Sequence, residues 1–177
     1  MSDPRIDELL DPGYLGDLKA RPIEEIRSMR TECQRLEVAL SYLRRLAQGR
    51  LDIVAADQRR RVEGGEPLDV AALVEQLPEI LSEHVHAPGN GRLSAYMAPA
   101  EADDLTAELD AVVDAQTLGS LDRLDDVALT DLIDRLTALE RDVSGRRRAL
   151  HDIIDALQAE LTRRYKTGEA SVESLLR

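Results

Sequence analysis

Two stretches of this chain carry an apolar residue at every third or fourth position, and this spacing constrains the fold more than any other feature. In the first stretch the repeat consists of Ile26, Met29, Cys33, Leu36, Leu40, Leu43 and Ala47. In the second stretch, where only Arg146 is charged, it consists of Leu129, Leu132, Leu136, Leu139, Val143, Arg146, Leu150, Ile153 and Leu157. Steps of three and four place such residues on one stripe of an α-helix, as the a and d positions of heptads. We therefore expect an all-α fold built on a long antiparallel two-helix coiled coil.

Residues that start and stop helices indicate where the two long helices begin and end. Pro22 suits a first helical turn, where its missing N–H has no partner to lose. Gly64 and Gly168 are typical of helix ends. These signals predict long helices over residues 22–62 and 125–167.

The remaining segments are predicted to be shorter or looser. We expect a flexible N-terminal arm over 1–21, with a turn of helix at 14–19. The connecting segment, 63–124, is predicted to contain one or two accessory helices, and 168–177 a C-terminal tail. Within the connection the pattern indicates a helix over 70–86 that Pro78 should kink, an extended linker over 92–100 and a short helix near 101–116.

The formal net charge of −12 limits which partners the chain can bind. An acidic surface argues against direct DNA binding, but it suits a partner with a basic surface. There is no apolar run of about 18 residues and no signal peptide, so we expect no membrane span and a cytoplasmic location. A single cysteine, Cys33, excludes an internal disulfide and a cysteine-based zinc site. His84 and His86 lack a third ligand at a suitable spacing, so no metal site is predicted.

A polar pattern, Glu-x3-Ser-x2-Arg-x3-Gln-x3-Asp, recurs beside both apolar stripes. The second copy has His where the first has Gln. In both copies the five residues take heptad positions e, b, e, b and f, although the heptads were assigned from apolar residues alone. The first copy is Glu37, Ser41, Arg44, Gln48 and Asp52, and the second is Glu140, Ser144, Arg147, His151 and Asp155.

On an α-helix the five side chains of each copy form one polar stripe. At about 100° per residue the five side chains fall within a band of roughly 80°, over a length of about 22 Å. Antiparallel packing would relate the two stripes by a pseudo-twofold axis, which suits a twofold ligand. Arg matches phosphate oxygens or guanine O6 and N7, and a carboxylate can accept from the N–H edge of guanine. Four acids would repel a bare anion, whereas guanine bases bridged by phosphates would use both charges.

The repeated pattern resembles that of the RsiG family of actinobacterial anti-sigma factors, whose cyclic di-GMP signature has the same five residues at the same spacing. The first copy matches in full, and the second departs only at His151. The helix–connection–helix layout extends the resemblance over about residues 22–167.

The resemblance implies that all ten residues bind cyclic di-GMP, as a dimer held between the two helices. It further implies that the chain sequesters a WhiG-type sigma factor of the sporulation and motility class from RNA polymerase. Because both copies lie on one chain, the protein should act as a monomer. Two alternatives stay open: a ligand-free structural coiled-coil adaptor, in which the motif charges are solvated, and a nucleotide-processing enzyme. The second would need a metal triad or an activated nucleophile, and neither is seen, so we predict that the protein is not an enzyme.

The basic run Arg59-Arg60-Arg61 is interpreted as a solvated helix end, favourable at the negative pole of the helix dipole.

Overall fold

The computed structural model describes residues 4–65 and 102–169. The helix expected over 70–86, with its two histidines, and the linker expected over 92–100 lie outside the described residues. The same holds for most of the C-terminal tail.

Within the described ranges the chain forms helices and turns and no strand, which confirms the predicted all-α class. The elements, in chain order, are α1 (Pro4–Leu9), α2 (Ile23–Val62), α3 (Ala102–Val112), α4 (Ala115–Leu118), a 3-10 turn (Leu121–Arg123) and α5 (Asp126–Thr167). None of these helices is long and apolar enough to cross a bilayer.

The two long helices pack against each other as an antiparallel hairpin. Arg30 Nη1 lies 2.5 Å from Gln158 Oε1, whereas Gln58 Nε2 lies 3.1 Å from Thr130 Oγ1, so residue numbers rise along α2 as they fall along α5. Every apolar residue of the predicted seam in α2 is buried. In α5 the same holds except at Leu139, which is only partly buried. Burial of these side chains, at roughly 1.5–3 kcal/mol each, is the main term that stabilises the hairpin.

Local signals set the ends of α5. The Asp125 carboxylate accepts a hydrogen bond of 2.7 Å from the backbone N–H of Ala128, which satisfies one of the unpaired donors of the first turn. At the other end Gly168 has a φ of 76°, a left-handed conformation that favours glycine.

The N-terminal segment differs from the expected loose arm with a turn of helix at 14–19. Its helix is instead α1, where Ile6 and Leu9 are buried in the common core. Turns follow from residue 10 to residue 20, and Tyr14, Leu15 and Leu18 pack against the same core. The heptad pattern could not predict this, because α1 is under two turns long and offers no periodicity to detect.

The likeness of the two halves extends well beyond the polar motif. Equivalent residues of the two halves, such as Ile6 and Leu109, are fully buried in both. The turns before the two long helices repeat the same backbone bonds: Arg21 N–H donates to Leu18 O, and Leu124 N–H donates to Leu121 O. Each half is therefore a short helix, a turn and a long helix, and the hairpin is a pseudo-twofold pair of such units.

Each long helix ends in a charged cluster with a buried acid at a heptad d position and an arginine at the following a position, where the seam is otherwise apolar. We call Asp57, Arg60 and Arg61 the α2 clamp, and Glu160, Arg163 and Arg164 the α5 clamp. Asp57 is 3% exposed and Glu160 is 8% exposed, and each accepts hydrogen bonds from both arginines of its own clamp. The interpretation of Arg59-Arg60-Arg61 as a solvated helix end is therefore wrong for Arg60 and Arg61. The acid that pairs with them lies three and four residues earlier, on the same face.

Candidate ligand site

The two polar stripes lie on one side of the hairpin, along its e and b positions. The opposite edge, marked by the g position Arg135, is where α3 packs: Arg135 Nη2 donates to the carbonyl of Ala111 at 3.3 Å. None of the ten motif residues is buried, and Asp52, His151 and Asp155 are exposed. The motif side chains are therefore accessible along a face that α3 does not cover.

Within each helix the motif builds the same local contact. Ser41 Oγ donates to Glu37 Oε1 at 2.7 Å, and Ser144 Oγ donates to Glu140 Oε1 at 2.8 Å. The spacing of four residues places each hydroxyl one turn beyond the carboxylate on the same face. These bonds orient both glutamates in the same way and leave their second oxygens free of the serine.

Across the hairpin, residues of one copy contact residues of the other. Arg44 Nη1 lies 3.3 Å from Glu140 Oε1, and Arg147 Nη1 donates to Ser41 Oγ at 3.2 Å. His151 Nε2 lies 3.2 Å from Glu37 Oε1. With the bond from Ser144 to Glu140, the structure thus brings seven of the ten predicted site residues together in one mixed-charge cluster: Glu37, Ser41, Arg44, Glu140, Ser144, Arg147 and His151.

The remaining predicted residues flank this cluster without joining it. Gln48, Asp52 and Asp155 have no hydrogen bond or ion pair to any other residue in the described ranges. Asp155 lines a shallow surface groove with Gln158 and Thr162. Exposed carboxylates without protein partners remain able to accept hydrogen bonds from a ligand.

One donor in the cluster has no partner. The Nε of Arg147 is buried, and no acceptor lies within hydrogen-bond distance. An unpaired buried donor costs free energy, roughly 1–3 kcal/mol, until an acceptor reaches it. Arg147 therefore carries a buried donor that an acceptor on a ligand could satisfy.

The chemistry of the cluster is that of recognition. Two guanidinium groups offer forked donors to phosphate or to a guanine edge, and the carboxylates of Glu37 and Glu140, with Asp52 and Asp155 beside the cluster, offer paired acceptors. Over residues 4–65 and 102–169 there is no group of three His, Cys, Asp or Glu side chains arranged to hold a metal ion.

Comparison with known proteins gives one family. The sequence model of a family described as RsiG-like matches residues 12–81 and 115–177, which is more than half of the chain. The matched ranges contain both long helices and both copies of the polar motif. A search of curated proteins finds no match.

Proposed function

The chain belongs to the RsiG-like family, which indicates a regulatory role as an anti-sigma factor with a sigma factor as its partner, and from this premise we propose a specific ligand and partner. The protein binds cyclic di-GMP, as a dimer, between α2 and α5. In that state it sequesters a WhiG-type sigma factor from RNA polymerase. It does so as a monomer, because one chain supplies both motif copies.

The observation that carries the proposal is the placement of the two copies opposite each other on one accessible face. The contacts from Arg44 to Glu140 and from Arg147 to Ser41 run in opposite directions across the hairpin. A site of approximate twofold symmetry suits a ligand of two equal halves, and cyclic di-GMP has two guanines and two phosphates.

The ligand can replace the cross-helix contacts at small cost. Arg44 and Glu140 are 29% and 21% exposed, and a partly exposed ion pair at 3.3 Å contributes little, on the order of 0–1 kcal/mol. Arg44 and Arg147 would turn to guanine edges or phosphates. Asp52 and Asp155 would accept from guanine N1–H and N2–H, and the other six motif residues would complete the contacts.

Bound nucleotide would favour capture of the sigma factor because binding of the nucleotide and binding of the sigma factor would both stabilise the same form of the hairpin. A ligand that contacts both helices stabilises the arrangement in which the two motif copies are aligned, and it also becomes part of the surface that the partner meets. The shift can only be as large as the difference in ligand affinity between the sigma-competent form and the other forms. The net charge of −12 favours a partner with basic surfaces.

Isothermal titration calorimetry with cyclic di-GMP and cyclic di-AMP tests the ligand. We expect two molecules of cyclic di-GMP per chain and no heat with cyclic di-AMP, because adenine lacks the O6 acceptor and N1–H donor of guanine. Arg44→Ala and Asp155→Ala should abolish binding, and the exposed neighbours Arg148→Ala and Asp152→Ala serve as matched controls. Unchanged affinity in both site variants would refute the assignment.

A pull-down with a purified WhiG-type sigma factor tests the partner. We expect capture that depends on cyclic di-GMP in the wild type and is lost in Arg44→Ala. If the sigma factor is captured equally with and without nucleotide, the proposed dependence of capture on cyclic di-GMP is refuted, whereas an anti-sigma role is not.

The alternative is a ligand-free structural adaptor, and one observation favours it. Seven motif residues pair with each other, so the hairpin does not require a nucleotide to satisfy most of their polar groups. This alternative expects no thermal shift on addition of cyclic di-GMP.

A further inference from the structure

Antiparallel packing of two apolar seams does not by itself fix the register, that is, the alignment of α2 and α5 along the hairpin axis. An apolar seam packs nearly as well after a slip of one heptad, because most a and d residues then meet another apolar residue. The length of the connection over residues 63–125 does not by itself prevent a slip, because the cost of closing a loop rises only slowly with its length. A slip of seven residues would shift the two motif copies by about 10 Å along the axis.

The α2 clamp contacts the chain immediately before α5. Arg61 Nε donates to Asp57 Oδ2 at 2.8 Å, while its Nη atoms donate to Leu121 O at 2.6 Å and to Leu124 O at 2.7 Å. It also lies 3.1 Å from the Asp126 carboxylate. Asp57 lies on α2 itself, so one guanidinium joins the end of α2 to the start of α5 through three acceptors, Leu121 O, Leu124 O and the Asp126 carboxylate.

The α5 clamp repeats this arrangement at the other end of the hairpin. Arg164 Nε donates to Glu160 Oε1 at 2.8 Å, while its Nη atoms donate to Leu18 O at 2.6 Å and to Arg21 O at 2.8 Å. These two carbonyls belong to the turn before α2, in the positions equivalent to the two that Arg61 binds. Arg163 places a second guanidinium on Glu160, and the two arginines together lower the pKa of this carboxyl to about 2.

We propose that the two clamps are positioning residues that set the register of the hairpin, and thereby hold the two motif copies opposite each other. A polar group at an a or d position specifies register because it is satisfied in only one alignment, often with a loss of stability relative to an apolar residue. After a slip, Arg61 and Arg164 would lose carbonyl acceptors at opposite ends together. The step from register to nucleotide binding rests on the proposed function, but the register claim itself does not.

The test replaces both clamps by apolar seam residues, as Asp57→Leu, Arg61→Leu, Glu160→Leu and Arg164→Leu in the full chain. Nitroxide labels at Val38→Cys and Val127→Cys, in a Cys33→Ala background, report the register as a distance without any ligand. Both valines are exposed, at 49% and 79%. Their separation runs along the hairpin axis, so a one-heptad slip changes it by about 10 Å.

With intact clamps we expect a single distance. In the leucine variant we expect retained helicity, an unchanged or raised melting temperature and an additional distance displaced by about 10 Å. The conservative exchange of Asp57→Glu with Glu160→Asp should keep a single distance. Clamps that merely stabilise the fold would instead give a lower melting temperature with the distance unchanged, and that result would overturn the inference.

Should the fourfold variant fail to fold, the pair Arg61→Leu and Arg164→Leu decides the question by the same distance measurement, because it removes the contacts at both ends and leaves each buried acid its other arginine. A single native distance in that variant would overturn the inference. If only about one molecule in ten of a clamp variant has the native register, its apparent affinity for cyclic di-GMP should be about tenfold lower than that of the wild type. Absence of binding in the wild type, with the expected distance results, would refute the nucleotide proposal and leave the register role intact.

Discussion

The first repeat, residues 4–65, and the second repeat, described over residues 102–169, are alike in their frame and unlike in their polar contacts. Both have a buried seam, a serine bonded to the glutamate one turn earlier, and a clamp of one acid with two arginines. Across the hairpin, however, Glu140 meets Arg44, whereas Glu37 meets His151.

This difference shows which polar contacts must be alike in the two repeats and which need not be. Buried groups must be matched, because an unsatisfied buried charge costs several kcal/mol. Partly exposed motif side chains can exchange partners at small cost, since water screens them. The contacts within the site are therefore asymmetric on a nearly symmetric frame, and a symmetric ligand would have to make the two copies equivalent.

The largest expected effect comes from equivalent leucines that differ in burial. Leu36 is fully buried, whereas its counterpart Leu139 is only partly buried. Leu36→Ala should lower the free energy of unfolding by about 2–5 kcal/mol, and Leu139→Ala by clearly less. Urea denaturation followed by circular dichroism measures both, and equal losses would show that the two seams pack alike.

The next effect compares the two motif arginines in nucleotide binding. If one ligand dimer spans both copies, Arg44→Ala and Arg147→Ala should each weaken cyclic di-GMP binding by at least about a hundredfold, below what calorimetry detects, as expected for loss of a charge-assisted contact of about 2–3 kcal/mol. Calorimetry distinguishes this from two independent half-sites, for which each variant would halve the stoichiometry and leave the affinity of the other half unchanged. Arg148→Ala is the control.

A smaller effect is expected from making the two motifs equal. His151→Gln gives two identical copies, and because Gln can also donate to Glu37, the affinity for cyclic di-GMP should change by less than about tenfold. The reciprocal Gln48→His should behave similarly. A loss as large as that of Arg147→Ala would show that the imidazole itself is required.

The smallest expected effect is a loss of folding stability in acid, caused by protonation of Glu160 in the α5 clamp. Hydrogen bonds from Arg163 and Arg164 lower the pKa of Glu160 to about 2, below its ordinary value of 4.5. The stabilisation is therefore fully present above pH 4.5 and is lost as the pH falls towards 2. Urea midpoints measured between these values should fall less steeply for Glu160→Gln than for the wild type, with exposed Asp152→Asn as the control. Parallel slopes would mean that the ion pair does not persist in solution.

Much of the fold was predictable because helical periodicity is local. Every residue that three-four spacing assigned to the seam of α2 is buried, and so is every one in α5 except Leu139 and the charged Arg146. Ala39, Val54 and Leu161, outside the assigned sets, are buried too. The same heptads, continued further, place Asp57 and Glu160 at d, but burial of a charge is not an inference that apolar spacing supports. The helix of the N-terminal arm was also predicted at the wrong position, over 14–19 instead of Pro4–Leu9, because a helix of under two turns has no detectable period.

For the candidate site, the sequence supplied the ten residues and their common face, and it did not supply their partners. Which glutamate meets Arg44 and which meets His151 depends on the register and direction of the other helix. Gln48 and the two aspartates belong to the same pattern, yet they lie outside the cluster that the hairpin assembles. Their role in binding stays a prediction.

By itself the sequence determined that two long helices form and which side of each carries the apolar and polar stripes, because both properties repeat within a few residues along one helix. Only the tertiary structure decided that Arg147 meets Ser41 and that Arg61 and Arg164 join opposite ends of the hairpin. Those contacts link residues far apart in the chain, and their energies depend on burial and alignment that no local pattern contains.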